Sequence, residues 1–218
     1  MENNLNQIVQ TLSLTMGVAW ASGINLYAAV LMLGLLGATG YMTLPENLQI
    51  LGSPLIIVAA AFMYLVEFFA DKTPGVDSGW DALHTFIRIP VGAVLAAGAV
   101  GEVDPAVVIA AGIVGGGLTA GVHATKAGSR VLINSSPEPF SNWVTSVAED
   151  VIVFGGLFTA LYHPWLFLGL LLLFILLMIW MLPKLWRGLK RLFSFLGGLF
   201  GRKTPPPGED PVSGDKTA

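Results

Sequence analysis

Residues 164–182 read PWLFLGLLLLFILLMIWML, nineteen consecutive positions without an ionisable side chain. A helix of about 20 apolar residues crosses ~30 Å of hydrocarbon, and lipid offers the backbone no hydrogen-bond partner, so this stretch reads as a lipid-facing transmembrane helix. The same test along the chain finds six candidate spans, from about Ile8 to Gly37, Ser53 to Ala70, Trp80 to Val100, Pro105 to Ile133, Asn142 to Leu161 and Pro164 to Leu182. Between them lie short segments rich in turn residues, notably DKTPGVDSG, GEVDP and NSSPEPFS. Composition agrees, with 11% charged residues where a soluble domain carries about 25%. The expected fold class is all-α, a polytopic membrane helix bundle of about six spans over residues 1–182. A basic amphipathic helix over 183–203 and a disordered tail over 204–218 are expected to follow.

The 14 acids and 11 bases leave a net charge of −3, too balanced to imply a nucleic-acid partner. With no cysteine, disulfides, thiolate metal sites and Cys nucleophiles are excluded. Nothing implies a cofactor. The opening MENNLNQ carries an acid and no base, so it lacks the basic region of a cleavable signal peptide and the first apolar segment is expected to be retained.

Lys and Arg are retained on the cytoplasmic side of a membrane. The segments TGYMTLPENLQ, GEVDP and YHP contain none, whereas Lys72, Arg130, Lys184, Arg187, Lys190, Arg191, Arg202 and Lys203 fall at the opposite span ends. With six crossings, both termini are expected in the cytoplasm, and the location expected is an inner (cytoplasmic) membrane. In KLWRGLKRLFSFLGGLFGRK, bases at 184, 187 and 191 share one face while Leu185, Leu189, Leu192 and Leu196 take another. That pattern predicts a helix lying on the anionic inner leaflet, anchored by Lys184, Arg187, Lys190 and Arg191.

The ionisable residues inside the spans carry the functional signal. Glu67 and Asp71 share a helix face at the end of span two, with Lys72 beside them. Asp77, Asp81, His84 and Arg88 follow at spacings of four, three and four, and His123, Lys126 and Arg130 at three and four. In span five Asn142, Ser146 and Glu149 line one face, with Asp150 adjacent. A charge at mid-bilayer costs about 2.5–3.5 kcal/mol on insertion scales, so such groups meet a partner or a water-filled space. Four stripes at one end of the spans predict convergence around a polar cavity open to the cytoplasm. Structural pairing is the competing reading for any one of them, with Lys126 and Arg130 also able to snorkel to the interface.

A weak repeat at an offset of 63 aligns Thr73-Pro74-Gly75-Val76-Asp77-Ser78-Gly79-Trp80 with Ser136-Pro137-Glu138-Pro139-Phe140-Ser141-Asn142-Trp143. Carried along, it sets spans two and three against four and five and swaps the charges, Glu67 against Arg130 and Arg88 near Glu149, which makes salt bridges between hairpins plausible. A rival match pairs Ser22-Gly23-Ile24-Asn25 with Ala120-Gly121-Val122-His123 and would make the halves inverted, as in many transporters. Both segments hold Gly and polar residues mid-span, where a broken helix would bring backbone groups, and Asn25, into a site. For GGGLTAG the competing reading is close helix packing through Gly117 and Gly121. Such Gly-rich faces would also suit a homodimer.

EFFADKTPGVDSGWDALHTFIR, HATKAGSRVLINSSPEPFSN, AEDV and the opening ASGINLYAAVL resemble the bacterial membrane family known as domain of unknown function 4126, over roughly residues 15 to 190. The resemblance implies a multi-pass membrane protein and carries no activity with it.

The residues themselves support several functions. A proton- or cation-coupled transporter follows from the excess of carboxylates over Lys and Arg between positions 67 and 150, with His84 and His123 as candidates for a proton relay. A lipid or isoprenoid-phosphate flippase would use His123, Lys126 and Arg130 as a phosphate clamp. An intramembrane metal-dependent enzyme would chelate through Asp77, Asp81 and His84, or use Asp77 as nucleophile with His84 as base, although this spacing matches no recognised signature. A non-catalytic scaffold would need only the packing surfaces.

Overall fold

The computed structural model describes residues 2–73, 75–134 and 139–200. Among them every regular element is helical: α1 (Glu2–Ala38), a 3-10 turn (Glu46–Gly52), α2 (Pro54–Ala70), α3 (Val76–Ala99), α4 (Pro105–Asn134), α5 (Pro139–Tyr162) and α6 (Pro164–Phe200). Four of these helices open on proline, which fixes φ at a position whose N–H has no intrahelical partner. Five helices are long and apolar enough to cross a membrane, or six if the 3-10 turn and α2, which meet at 69°, count as one span. The polytopic helix bundle expected from the sequence is therefore what the chain forms. The tail at 204–218, Arg202 and Lys203, and Pro74 and Ser136 to Glu138 of the repeat lie outside the described residues.

α1 departs from a simple span. Asn25 sits inside it with φ −146° and ψ 99°, an extended conformation that ends one helix and begins another. A straight 37-residue helix would be ~55 Å long, yet Gln10, Thr11 and Leu14 line one pocket together with Met42, Thr43, Leu44 and Pro45. The chain therefore folds back at Asn25. Its first arm, residues 2–24, runs antiparallel to α5: Ser13 Oγ donates to Ala160 O at 2.8 Å and Asn25 Nδ2 to Asp150 Oδ1 at 3.2 Å. Its second arm, residues 26–38, returns alongside α3, from Tyr27 beside His84 to Leu33 in a core with Leu95 and Ala99.

This fold-back corrects the expected topology. The first arm starts beside the α3–α4 loop, where Asn4, Gln7 and Ile8 share a groove with Gly101 and Glu102. α6 runs parallel to this arm, from Phe167 against Gly17 to Leu185 against Gly128, and so ends at the far end of the bundle. The two described chain ends thus lie at opposite ends of the bundle, whereas six simple spans would bring them to the same end. α6 also continues through Pro183 to Phe200, so the described part of the basic segment is helical and continuous with it.

Small residues set the close approaches. A Cβ on Gly23 would stand 2.6 Å from Val122 Cβ and 2.8 Å from Thr119 O, so the first arm meets α4 almost backbone to backbone. α4 meets α3 through Gly115 and Gly116, against Ala96 and Ala93. Gly117, expected as a packing position, has open space at its Cβ, while Gly121 packs on Met178 of α6. Ser22-Gly23-Ile24-Asn25 and Ala120-Gly121-Val122-His123 therefore lie in neighbouring segments that touch, but only the first is broken.

Candidate functional site

The break in α1 leaves the last carbonyls of its first arm without helical partners, which is where cations are favoured. Ile24 O accepts from Lys126 Nζ at 2.9 Å and from Arg88 Nη1 at 3.1 Å. Asn25 serves the second arm as its N-cap, with Oδ1 accepting the Ala28 N–H at 2.9 Å. The same amide donates to Asp150 through Nδ2. Backbone ends and charged side chains thus meet at one level, about midway along α3 at Arg88 and along α5 at Asp150.

Around that break the stripes converge. Glu67 of α2 pairs with Arg88 of α3, both side chains fully buried. Arg130 of α4 pairs with Glu149 of α5, Nη2 to Oε2 at 2.5 Å and Nε to Oε1 at 3.2 Å. Each hairpin holds its own close pair with the order of charges exchanged, as the offset of 63 implied. Further contacts cross between hairpins: Lys126 Nζ lies 3.0 Å from Asp71 Oδ2 and 3.5 Å from Glu67 Oε1, and Arg130 Nη2 lies 3.5 Å from Asp71 Oδ2, while Lys126 also stands 3.5 Å from Glu149 Oε2 of its own hairpin. Arg130 Nη1 also donates to Asn142 Oδ1 at 2.7 Å and to Asp71 O at 2.9 Å.

The remaining candidates occupy the rim of the network. Lys72, in the α2–α3 loop, donates to Ser146 Oγ and Phe68 O, both at 3.2 Å. Burial lowers its ammonium from the usual Lys value, with Asp150 and Asp71 opposing that shift. Asp77 accepts from Asn134 Nδ2 and from the Gly75 and Ser78 N–H groups, which places it at the start of α3 as a local anchor. Asp81 is fully buried, its oxygens without a hydrogen bond, with Oδ1 3.3 Å from Arg88 Nη1 and 3.8 Å from Lys126 Nζ. Glu67 Oε2 and Asp71 Oδ1 are likewise buried without hydrogen-bond partners.

His84 Nδ1 faces Trp80 O at 2.9 Å, and a carbonyl only accepts, so Nδ1 carries a proton, while Nε2 lies 3.0 Å from the Tyr27 hydroxyl, which can donate or accept. His123 Nδ1 faces the Arg88 guanidinium at 3.3 Å, a pure donor, which leaves Nε2–H for Asp81 O at 3.1 Å and Thr85 Oγ1 at 2.8 Å.

Every residue singled out in the sequence thus reaches this assembly or its rim, but the expected open cavity is not what they form. Asn25, Glu67, Asp71, Lys72, Asp77, Asp81, His84, Arg88, His123, Lys126, Arg130 and Asn142 are all buried, and Glu149 and Asp150 only partly exposed, because each base finds carboxylates and carbonyls in place of water. Lys126 and Arg130 are taken up in this way and present no free clamp for phosphate. Asp77, Asp81 and His84 point to separate partners, and among the described residues no three metal-ligating side chains stand close enough to hold an ion. Sequence reasoning missed Tyr27, Thr85, Asn134 and the Ile24 carbonyl. Asn134 and Thr85 lie four residues beyond Arg130 and Asp81 and so extend stripes already visible, whereas Tyr27 follows the break, where helical spacing no longer predicts a shared face.

A family model described as Domain of unknown function (DUF4126) matches residues 12–184. Neither a curated protein nor a solved structure matches the chain.

Proposed function

The chain belongs to that family of unknown function, and from this premise we propose that it is a proton- or monovalent-cation-coupled membrane transporter whose coupling groups are the buried carboxylates around Asn25. One observation carries the reading. Six acids, Glu67, Asp71, Asp77, Asp81, Glu149 and Asp150, share the network with four bases, Lys72, Arg88, Lys126 and Arg130, so carboxyl groups outnumber ammonium and guanidinium groups by two. Uncompensated charge in a low-dielectric interior is costly, and uptake of protons or small cations is the available relief.

The helix break supplies a way for that uptake to act on the backbone. Arg88 and Lys126 bind Ile24 O and the carboxylates together, so a change of charge on Glu67 or Asp81 alters their hold on the tip of the folded-back α1. An element biased by an ion in one of two arrangements is what coupling requires. By the distribution of Lys and Arg, the network lies in the cytoplasmic half of an inner membrane and the start of α1 faces outward. The basic extension of α6, with Lys184, Arg187, Lys190 and Arg191, would rest against anionic lipid on the cytoplasmic side.

Flux in proteoliposomes tests the reading. An imposed pH gradient, or a panel of cations and amines with a pH-sensitive dye inside, should give protein-dependent proton movement that Glu149→Gln and Lys126→Ala abolish while remaining folded. Folded variants with unaltered flux, or wild-type vesicles no different from empty ones across the panel, would refute it.

A further inference from the structure

At the other end of the bundle, a groove of about 830 Å³ lies between the first arm of α1, the α3–α4 loop and the start of α4. Its mouth is polar: Asn4, Gln7 and Thr11 share one helix face opposite Glu102. Its walls are apolar, with Met16 and the half-exposed Val107 and Val114. The described residues at this end include Glu2, Glu46, Glu102 and Asp104 and no Lys or Arg. Deep in the groove Thr15 is 2% exposed, and its Oγ1 has no hydrogen-bond partner. Elsewhere in the bundle Thr85, Thr119, Thr125 and Thr159 all donate to the carbonyl four residues earlier, the usual resting bond of a helical threonine. Thr15 forgoes that bond.

We propose that this groove binds a cationic amphiphile, with an ammonium head at Glu102, an acyl carbonyl accepting the Thr15 hydroxyl, and an alkyl chain on Val107 and Val114. Each part answers one observation: a carboxylate at the mouth, at an end of the bundle without Lys or Arg among the described residues, selects a positive head, an unpartnered buried donor calls for an acceptor partway along the ligand, and the volume is that of a small-molecule site. The groove lies at the opposite end of the bundle from Glu67, Lys126 and Arg130, so its occupancy is separate from ion coupling there.

The test is photolabelling of the full chain in zwitterionic nanodiscs with a lauramidopropyl-trimethylammonium probe carrying a diazirine on its alkyl chain, followed by peptide mapping. Labelling should saturate and fall on residues 4–16 and 100–114, and be competed by the unlabelled ammonium but not by dodecyl sulfate. Glu102→Gln and Thr15→Val should each weaken apparent affinity by about fivefold, and Val114→Trp, which crowds the groove from its wall, should remove the saturable component. The proposal is overturned if labelling never saturates, spreads equally over the lipid-facing Leu166 and Leu173, or is competed as well by dodecyl sulfate. It is equally overturned if Glu102→Gln, a surface change that leaves the fold alone, binds as wild type does.

Discussion

Glu67 and Arg88 form an ion pair in which neither side chain has any solvent exposure. Glu67 Oε1 also stands 3.5 Å from Lys126, and Arg88 reaches Ile24 O and His123, so the pair joins α1, α2, α3 and α4. Removing one partner strands a buried charge, at a cost of about 3–5 kcal/mol. Glu67→Gln and Arg88→Met should each lower thermal stability in nanodiscs by that order, and the double variant by clearly less than the sum. Strict additivity would mean that the two residues are not coupled.

Asn25 closes one helix arm and caps the next. Asn25→Ala removes the cap on Ala28 N–H and the contact with Asp150, and should cost about 1–2 kcal/mol. Asn25→Ser, which keeps an accepting oxygen, should recover about half of that. Thermal unfolding of the three proteins side by side decides the matter, and an alanine variant as stable as wild type would remove Asn25 from its structural role.

The fold-back of α1 predicts a topology that labelling can read. The chain has no cysteine, so single Asn4→Cys and Lys184→Cys variants report cleanly. An impermeant maleimide should modify Asn4→Cys in intact cells and Lys184→Cys only after permeabilisation. Modification of both from one side would show that α1 crosses the membrane after all.

Two glycines in helices should respond in opposite directions. Gly23→Ala drives a Cβ to 2.8 Å from the Thr119 carbonyl oxygen, backbone that cannot swing aside, and should destabilise by about 1–3 kcal/mol. Gly79 in α3 has nothing within 4 Å of its Cβ position, so Gly79→Ala should be neutral or stabilise by up to about 1 kcal/mol through helix propensity. Melting curves that rank the two variants the other way would contradict the packing of α1 on α4.

The helices were legible because an apolar stretch in lipid has few alternatives, and the stripes because helical spacing survives wherever the helix does. From the spacing of His123, Lys126 and Arg130 alone, a common face and acidic partners could be inferred. The closing of that face was hidden, because whether carboxylates or water fill the space between helices depends on distances that spacing does not contain. The direction of the second half of α1 was hidden for a different reason. Ser22-Gly23-Ile24-Asn25 permits a break without requiring one, and its counterpart Ala120-Gly121-Val122-His123 stays helical. The difference is decided by Arg88 and Lys126, which occupy the carbonyl that a break exposes.

The folded-back α1 also constrains the order in which the protein can be assembled. Its tip is among the first parts synthesised, yet the groups that satisfy it arrive late: Asp150 follows Asn25 by 125 residues, and Ala160, which receives the Ser13 hydroxyl, comes 147 residues after it. The Ile24 carbonyl is satisfied once α3 and α4 are made, but until α5 has emerged Asn25 and Ser13 lack the partners they have in the bundle. α1 is therefore made well before α5 yet depends on it to be seated, and a chain stopped before α5 would leave the first arm of α1 short of its place in the bundle.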